Sequence, residues 1–153
     1  ALEIGTFVKT IVGTNASASV ILPAILFLVA IFLSFSTGTS WGTFAILVPI
    51  AIAMFPGADD MQMMIIAVSA VLSGAVCGDH ISPISDTTVM SSAGAQSNHI
   101  NHVTTQMQYA AVVAVVSAVG FLLAGFVHVW WIVLGVSLIL LLAVLTVLRK
   151  VAK

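Results

Sequence analysis

No Asp, Glu, Lys or Arg occurs at residues 10–58, and none at residues 87–148. A helix on a soluble protein needs a polar face, and stretches of this length without charge supply none. The chain is 61% apolar and 6% charged, with a mean hydropathy of +1.24, against roughly 25% charged residues in soluble domains. About 20 apolar residues cross a bilayer as a helix. Residues 16–35, 61–78, 109–127 and 129–148 each meet that condition. The expected class is all-α integral membrane.

Other classes drop out on composition. Cys77 is the single cysteine, which excludes an internal disulfide and a multi-cysteine metal site. A net charge of −1 leaves no basic surface for nucleic acid. The chain has no H-E-x-x-H, no G-x-S-x-G and no isolated serine beside a plausible base, so an enzyme is not expected. It opens on Ala1 rather than Met, and the expectation is a part of something longer.

Polar interruptions organise the rest. Residues 2–16 are mixed and read as a helix end plus an interfacial linker. Residues 17–35 are apolar around Pro23, a kink position. Residues 36–43, STGTSWGT, hold two glycines and five hydroxyls, and a helix rarely continues through such a stretch. Residues 44–55 are apolar but too short to span untilted. Two apolar arms about a polar tip suggest a re-entrant hairpin or a broken helix, with a full two-helix hairpin as the alternative. Residues 56–60, PGADD, make a turn. Helix 61–77 then runs into GDHISPISDTT at 78–88. Residues 89–98 regain helical composition with small residues, which permit close helix approach. Residues 99–108 are polar and expected at a membrane face. Two spans follow, with Trp130 and Trp131 in an interfacial belt. Arg149, Lys150 and Lys153 place the C-terminus in the cytoplasm. The His128 turn and the 56–60 turn are then outside, and 99–108 inside.

The carboxylates at 78–88 demand an explanation. Asp79 and Asp86 lie in a chain built for lipid, where an ionised carboxylate costs several kcal/mol unless it meets a polar pathway or a partner. Ser82, Ser85, Thr87 and Thr88 surround them, with Gly78 and Pro83 to unwind the helix. The simplest reading is an ion site in unwound backbone that lines a cavity. The plainer reading is structural: the carboxylates cap the break or sit in a wet loop.

Three segments together, TGTSWGTF (37–44), GDHISPISDTT (78–88) and HINHVTTQ (99–106), resemble the NhaC-type sodium/proton antiporter family. The likeness covers nearly the whole chain and corresponds to the C-terminal half of such a transporter. It implies an ion-transporter-type half: a re-entrant or broken hairpin, a discontinuous helix and two C-terminal transmembrane helices. Residues 1–153 would be one membrane domain, a single repeat whose partner is the N-terminal half of the same transporter, in the plasma (inner) membrane. A homodimer is a further possibility. By position, 37–42 would be the hairpin tip and 78–88 the break. Asp79 and Asp86 match the two aspartates of the family's pattern. The family has Asp in its HIDHV segment where this chain has Asn101, so no charge acts there.

The resemblance implies Na⁺/H⁺ antiport without a cofactor, Na⁺ and H⁺ being the cargo. Na⁺ is a hard cation that takes oxygen ligands. A carboxylate that binds either Na⁺ or H⁺, never both, is the minimal antiporter. Asp86 is favoured as the direct carrier because Ser85, Thr87 and Thr88 flank it, and Asp79 could equally hold that role. Thr37, Thr39, Ser40 and Thr43 would complete the shell from the hairpin, unless they bond only their own backbone. His80 is a possible proton relay beside Asp79, or a hydrogen-bonded helix-end residue. His99 and His102 share a helical face and read as packing or pH sensing rather than zinc binding. Relatives of this family also exchange malate and lactate with sodium and protons. A sodium-coupled organic anion exchanger is therefore the second hypothesis, and a non-transporting fragment or subunit the third.

Overall fold

The computed structural model describes residues 16–55 and 61–151. They form six helices: α1 (Ala16–Thr37), α2 (Ser40–Met54), α3 (Met61–Ile81), α4 (Asp86–Gly94), α5 (His99–Val127) and α6 (Trp130–Val151). There is no strand among the described residues. The expected linker at 2–15 and turn at 56–60 lie outside them. Helices α1, α3, α5 and α6 are long and apolar enough to cross a membrane. The 15 residues of α2 reach only about 22 Å at 1.5 Å per residue, short of a bilayer core of about 30 Å.

Both predicted interruptions are present, and both are shorter than the sequence suggests. The first occupies Gly38 and Thr39 alone. Gly38 has φ +68°, a left-handed conformation that glycine adopts without penalty. Thr39 is extended and caps α2, its hydroxyl accepting from the Gly42 amide at 3.4 Å. Ser36 and Thr37 stay helical because their hydroxyls donate to Phe32 O and Leu33 O, one turn back. The second interruption is 82–85 rather than 78–88. Pro83 sets it, because proline cannot continue the ladder and excludes the helical conformation from Ser82 before it. Asp79 therefore lies in the last turn of α3 and Asp86 in the first turn of α4. The polar 99–108 segment is the start of the 29-residue α5, capped by Asn98, whose side chain accepts from Asn101 N.

Gly78 has a role other than unwinding. A Cβ there would collide with the Ile31 carbonyl and come within 2.9 Å of Phe35 N. One turn earlier, a Cβ at Gly74 would strike the Phe27 carbonyl. This Gly-x-x-x-Gly pair lets α3 lie on the backbone of α1, as small residues do between membrane helices. Gly125 does the same for α5 against Val20.

Helices α1, α2 and α3 share one buried seam. Its cluster includes Leu22, Leu26 and Ala30 from α1, Leu47, Ala51 and Met54 from α2, and Ala67, Val71 and Ala75 from α3. Each set recurs every three or four residues, the spacing of one helical face. Continued one turn toward the two breaks, the stripes arrive at Ser34, Thr43 and Asp79, with Ser40 beyond. The seam is thus apolar for three turns and polar at its end. Helix α5 closes the other side of α1 and α3, and α6 packs on α5 alone.

Candidate ion-binding site

Asp79 is 6% exposed. Its Oδ2 accepts from Ser40 Oγ at 3.1 Å and its Oδ1 from Ser85 Oγ at 2.7 Å. Ser40 is the first residue of α2 and Ser85 the N-cap of α4. The hydroxyls at the starts of two helices therefore converge on one carboxylate, which itself lies in the last turn of α3, where the helix dipole opposes negative charge. Among the described residues no Lys or Arg side chain balances that carboxylate. Arg149 and Lys150 are the described cations, and they lie at the far end of α6. A buried charge is ordinarily paired or coordinates a cation. Among the described residues no three His, Cys, Asp or Glu side chains cluster as a metal centre. Ligands other than Asp79 would be hydroxyl and carbonyl oxygens, a set suited to a hard monovalent cation.

The Ser85 hydroxyl also lies 2.8 Å from Thr87 Oγ1. An ionised carboxylate only accepts, so the Ser85 proton goes to Asp79 and Thr87 donates to Ser85. When Asp79 is protonated on Oδ1, both bonds can reverse. Thr87 is exposed, so this chain of hydroxyls runs from the surface to the buried carboxylate.

The remaining residues expected at the site divide by position. Ser82 is fully buried, but its hydroxyl donates to Phe35 O at 2.8 Å and accepts from Ile84 N. It ties the second break to the last turn of α1. Thr88 is buried and donates to His80 O at 3.3 Å, stitching α4 to α3. Thr43 donates to Thr39 O. Thr37 is exposed and turned onto its own helix. Asp86 is exposed, and its Oδ1 accepts from Thr87 N at 2.8 Å. His80 points outward and its Nδ1–H donates to Val76 O. The tip and the break therefore meet in space, through Ser40 and Asp79, Ser82 and Phe35, and Gly38 against Ile84.

Two features escaped the sequence reading. His99 Nε2–H donates to the Pro83 carbonyl at 2.8 Å while Nδ1 lies 3.0 Å from Ser92 Oγ. This ring holds the break and α4 against the start of α5. Ser34 is fully buried with an unpartnered hydroxyl. A cavity of about 370 Å³ lies elsewhere. It is the apolar groove between α3, α5 and α6, lined by Ile65, Phe121, Val133 and Leu134, and none of the residues around Asp79 borders it.

A family model described as the Na⁺/H⁺ antiporter family matches residues 1–126. The chain belongs to the Na⁺/H⁺ antiporter family. It is a multi-pass membrane protein of a transporter family rather than of an enzyme family. An uncharacterized protein of Haemophilus influenzae is 48% identical over 127 residues, 83% of this chain and 24% of that protein. A malate-2H⁺/Na⁺-lactate antiporter of Bacillus subtilis is 33% identical over 97 residues, 63% of this chain and 20% of that protein. The chain thus spans a quarter or less of the length of these curated relatives. No solved structure matches it.

Proposed function

We propose that this antiporter-family chain is the C-terminal repeat of a longer secondary transporter that exchanges Na⁺ for H⁺, and that Asp79 is the carboxylate that alternates between them. One observation carries the reading. Asp79 is buried where two helices begin, is held by Ser40 and Ser85, and has no cationic partner among the described residues. A carboxylate in that state needs a bound cation or a proton. Its two oxygens face different elements, α2 at Oδ2 and the break at Oδ1. The cation enters the polar end of the seam beside Oδ2 and Ser40. The proton reaches Oδ1 through Thr87 and Ser85. Arrival of one releases the other. Asp86 faces outward at the start of α4 and serves as an outer ligand rather than as the carrier. His80 faces away and has no part in the relay.

The shortness of α2 and the contact of its first turn with the break support a re-entrant hairpin α1–α2, entering and leaving on one side of the plasma membrane. The basic end of α6 supports a cytoplasmic C-terminus. The other wall of the site would come from the N-terminal half.

The second reading is a sodium- and proton-coupled exchanger of small carboxylates. The malate and lactate exchange for which the Bacillus subtilis relative is named favours it. A carboxylate substrate wants a cationic or amide anchor, and Asp79 has no such neighbour among the described residues. That anchor would have to come from the rest of the transporter. Proteoliposomes holding the complete transporter decide the matter. Asp79→Asn should abolish Na⁺-driven proton flux, and Asp86→Asn should retain a measurable part of it. Flux that appears only with malate or lactate present selects the second reading. Wild-type flux from Asp79→Asn removes Asp79 from the mechanism.

A further inference from the structure

Ser34 is 0% exposed, and its hydroxyl has no hydrogen-bond partner. That is unusual for a serine in this environment. A hydroxyl buried in a membrane helix ordinarily retreats to a carbonyl one turn back. Ser36, Thr37 and Thr43, on either side of the same tip, all do so. Ser34 does not, although burial without a partner is costly. Its carbonyl is occupied, accepting from Gly38 N at 2.8 Å, so the strain-free turn at Gly38 leaves only the hydroxyl open.

Its direction follows from the helix period. Leu22, Leu26 and Ala30 line the seam toward α2 and α3, and Ser34 is the next position on that stripe. The stripes of α2 and α3 arrive at Thr43 and Asp79 on the same level. The hydrogen bond from Ser40 to Asp79 ties the two helices there. An open hydroxyl thus enters the layer that holds an unbalanced carboxylate.

We propose that Ser34 is a ligand of the transported cation, completing with Asp79 and Ser40 a site for a hard monovalent cation between α1, α2 and α3. The inference rests on the reading of Asp79 as the carrier. Ser34 takes no part in proton transfer, because its oxygen lies on the seam side and the hydroxyl chain through Ser85 and Thr87 reaches Asp79 from the break.

The test uses the complete transporter, purified in detergent and melted in sodium chloride against choline chloride. A ligand that binds only the native state raises the melting temperature in a concentration-dependent way. Ser34→Ala should raise the half-saturating Na⁺ concentration on the order of tenfold, which is 1.4 kcal/mol of lost binding. In choline its melting temperature should match or exceed that of the wild type, since an unsatisfied buried hydroxyl has gone. Half-saturation within twofold of wild type overturns the proposal. So does a lower melting temperature in choline with unchanged half-saturation, because the hydroxyl would then have had a structural partner. Should Ser34→Ala not be recovered, Ser34→Cys gives the same readout, a thiol being near in size and a poor ligand for a hard cation. Asp79→Asn is melted in parallel. Wild-type Na⁺ dependence in that variant defeats the carboxylate reading, and in the Ser34 variants alone it defeats only this inference.

Discussion

Ser82 Oγ donates to the Phe35 carbonyl at 2.8 Å, across 47 positions of sequence. One helix ends at Thr37 and another at Ile81, and this bond ties the two ends together. Ser82→Ala orphans a carbonyl in a buried region, a loss of about 1–3 kcal/mol. Hydrogen exchange at Ile84 and Ser85 should accelerate while exchange in the middle of α3 stays slow. Unchanged protection at Ile84 and Ser85 would show that the bond holds nothing in place.

The α1–α3 crossing should be sensitive at one glycine and indifferent at another. A Cβ at Gly78 meets Phe35 N at 2.9 Å, whereas nothing lies within 4 Å of a Cβ at Gly94. Gly78→Ala forces two backbones apart and should cost about 1–3 kcal/mol by overpacking. Gly94→Ala, on an open helix face, should be neutral or slightly stabilising. Thermal melts of the two variants in one detergent make the comparison. Equal melting temperatures would mean that α1 and α3 do not cross on these glycines.

The two oxygens of Asp79 should be separable by kinetics. Thr87→Val keeps the shape of the side chain and removes the outermost hydroxyl of the chain to Oδ1. It should lower maximal exchange several-fold with little change in half-saturating Na⁺. Ser40→Ala removes the partner of Oδ2 and should raise half-saturating Na⁺ by about tenfold, the equivalent of one hydrogen bond to a charged group. Flux measured against Na⁺ concentration in proteoliposomes reads both. If both variants change the same parameter, the division between the oxygens is wrong.

His99 predicts a different loss. Its ring bonds Pro83 O and lies against Ser92 Oγ, so His99→Ala should release the break and α4 from α5. A loss of about 1–3 kcal/mol is expected from two hydrogen bonds, one of them to a buried serine. His102 makes one longer contact of 3.3 Å, to Ser91 at the surface, and His102→Ala should cost well under half as much. Limited proteolysis near residues 95–98, where α4 ends and the chain is exposed, gives the measurement. Equal cutting of both variants would count against a latch at His99.

Much of this organisation is legible in the residues, and the exceptions have physical causes. Long uncharged stretches read as membrane helices, and Gly38 and Pro83 mark the two breaks, whereas Pro23 and Pro49 lie inside unbroken helices. The lengths of the breaks are hidden, because a serine or threonine in a membrane helix satisfies itself on its own backbone. Ser36 and Thr37 therefore remain helical despite their composition, and residues 78–81 stay in α3 because Pro83 excludes the helical conformation only from Ser82 onward. Which of the two aspartates is buried is hidden for a related reason. Hydroxyls flank Asp86 in sequence, yet the hydroxyls that reach a carboxylate come from Ser40, 39 positions away, and from Ser85, six positions away. The Gly74–Gly78 spacing was visible and its meaning could have been read. Ser34 was visible only as one polar residue on the stripe of Leu22, Leu26 and Ala30.

The seam from Leu22 to Ala30 acts as a seal. Water or an ion moving toward Asp79 from that direction would cross three layers of buried apolar side chains. Aliphatic side chains offer a moving ion nothing in exchange for its hydration shell. Among the described residues Asp79 therefore lies at the polar end of that seam, beside the Gly38 tip and the Pro83 break. For the proposed exchange, a route to it would have to be built against those two loops.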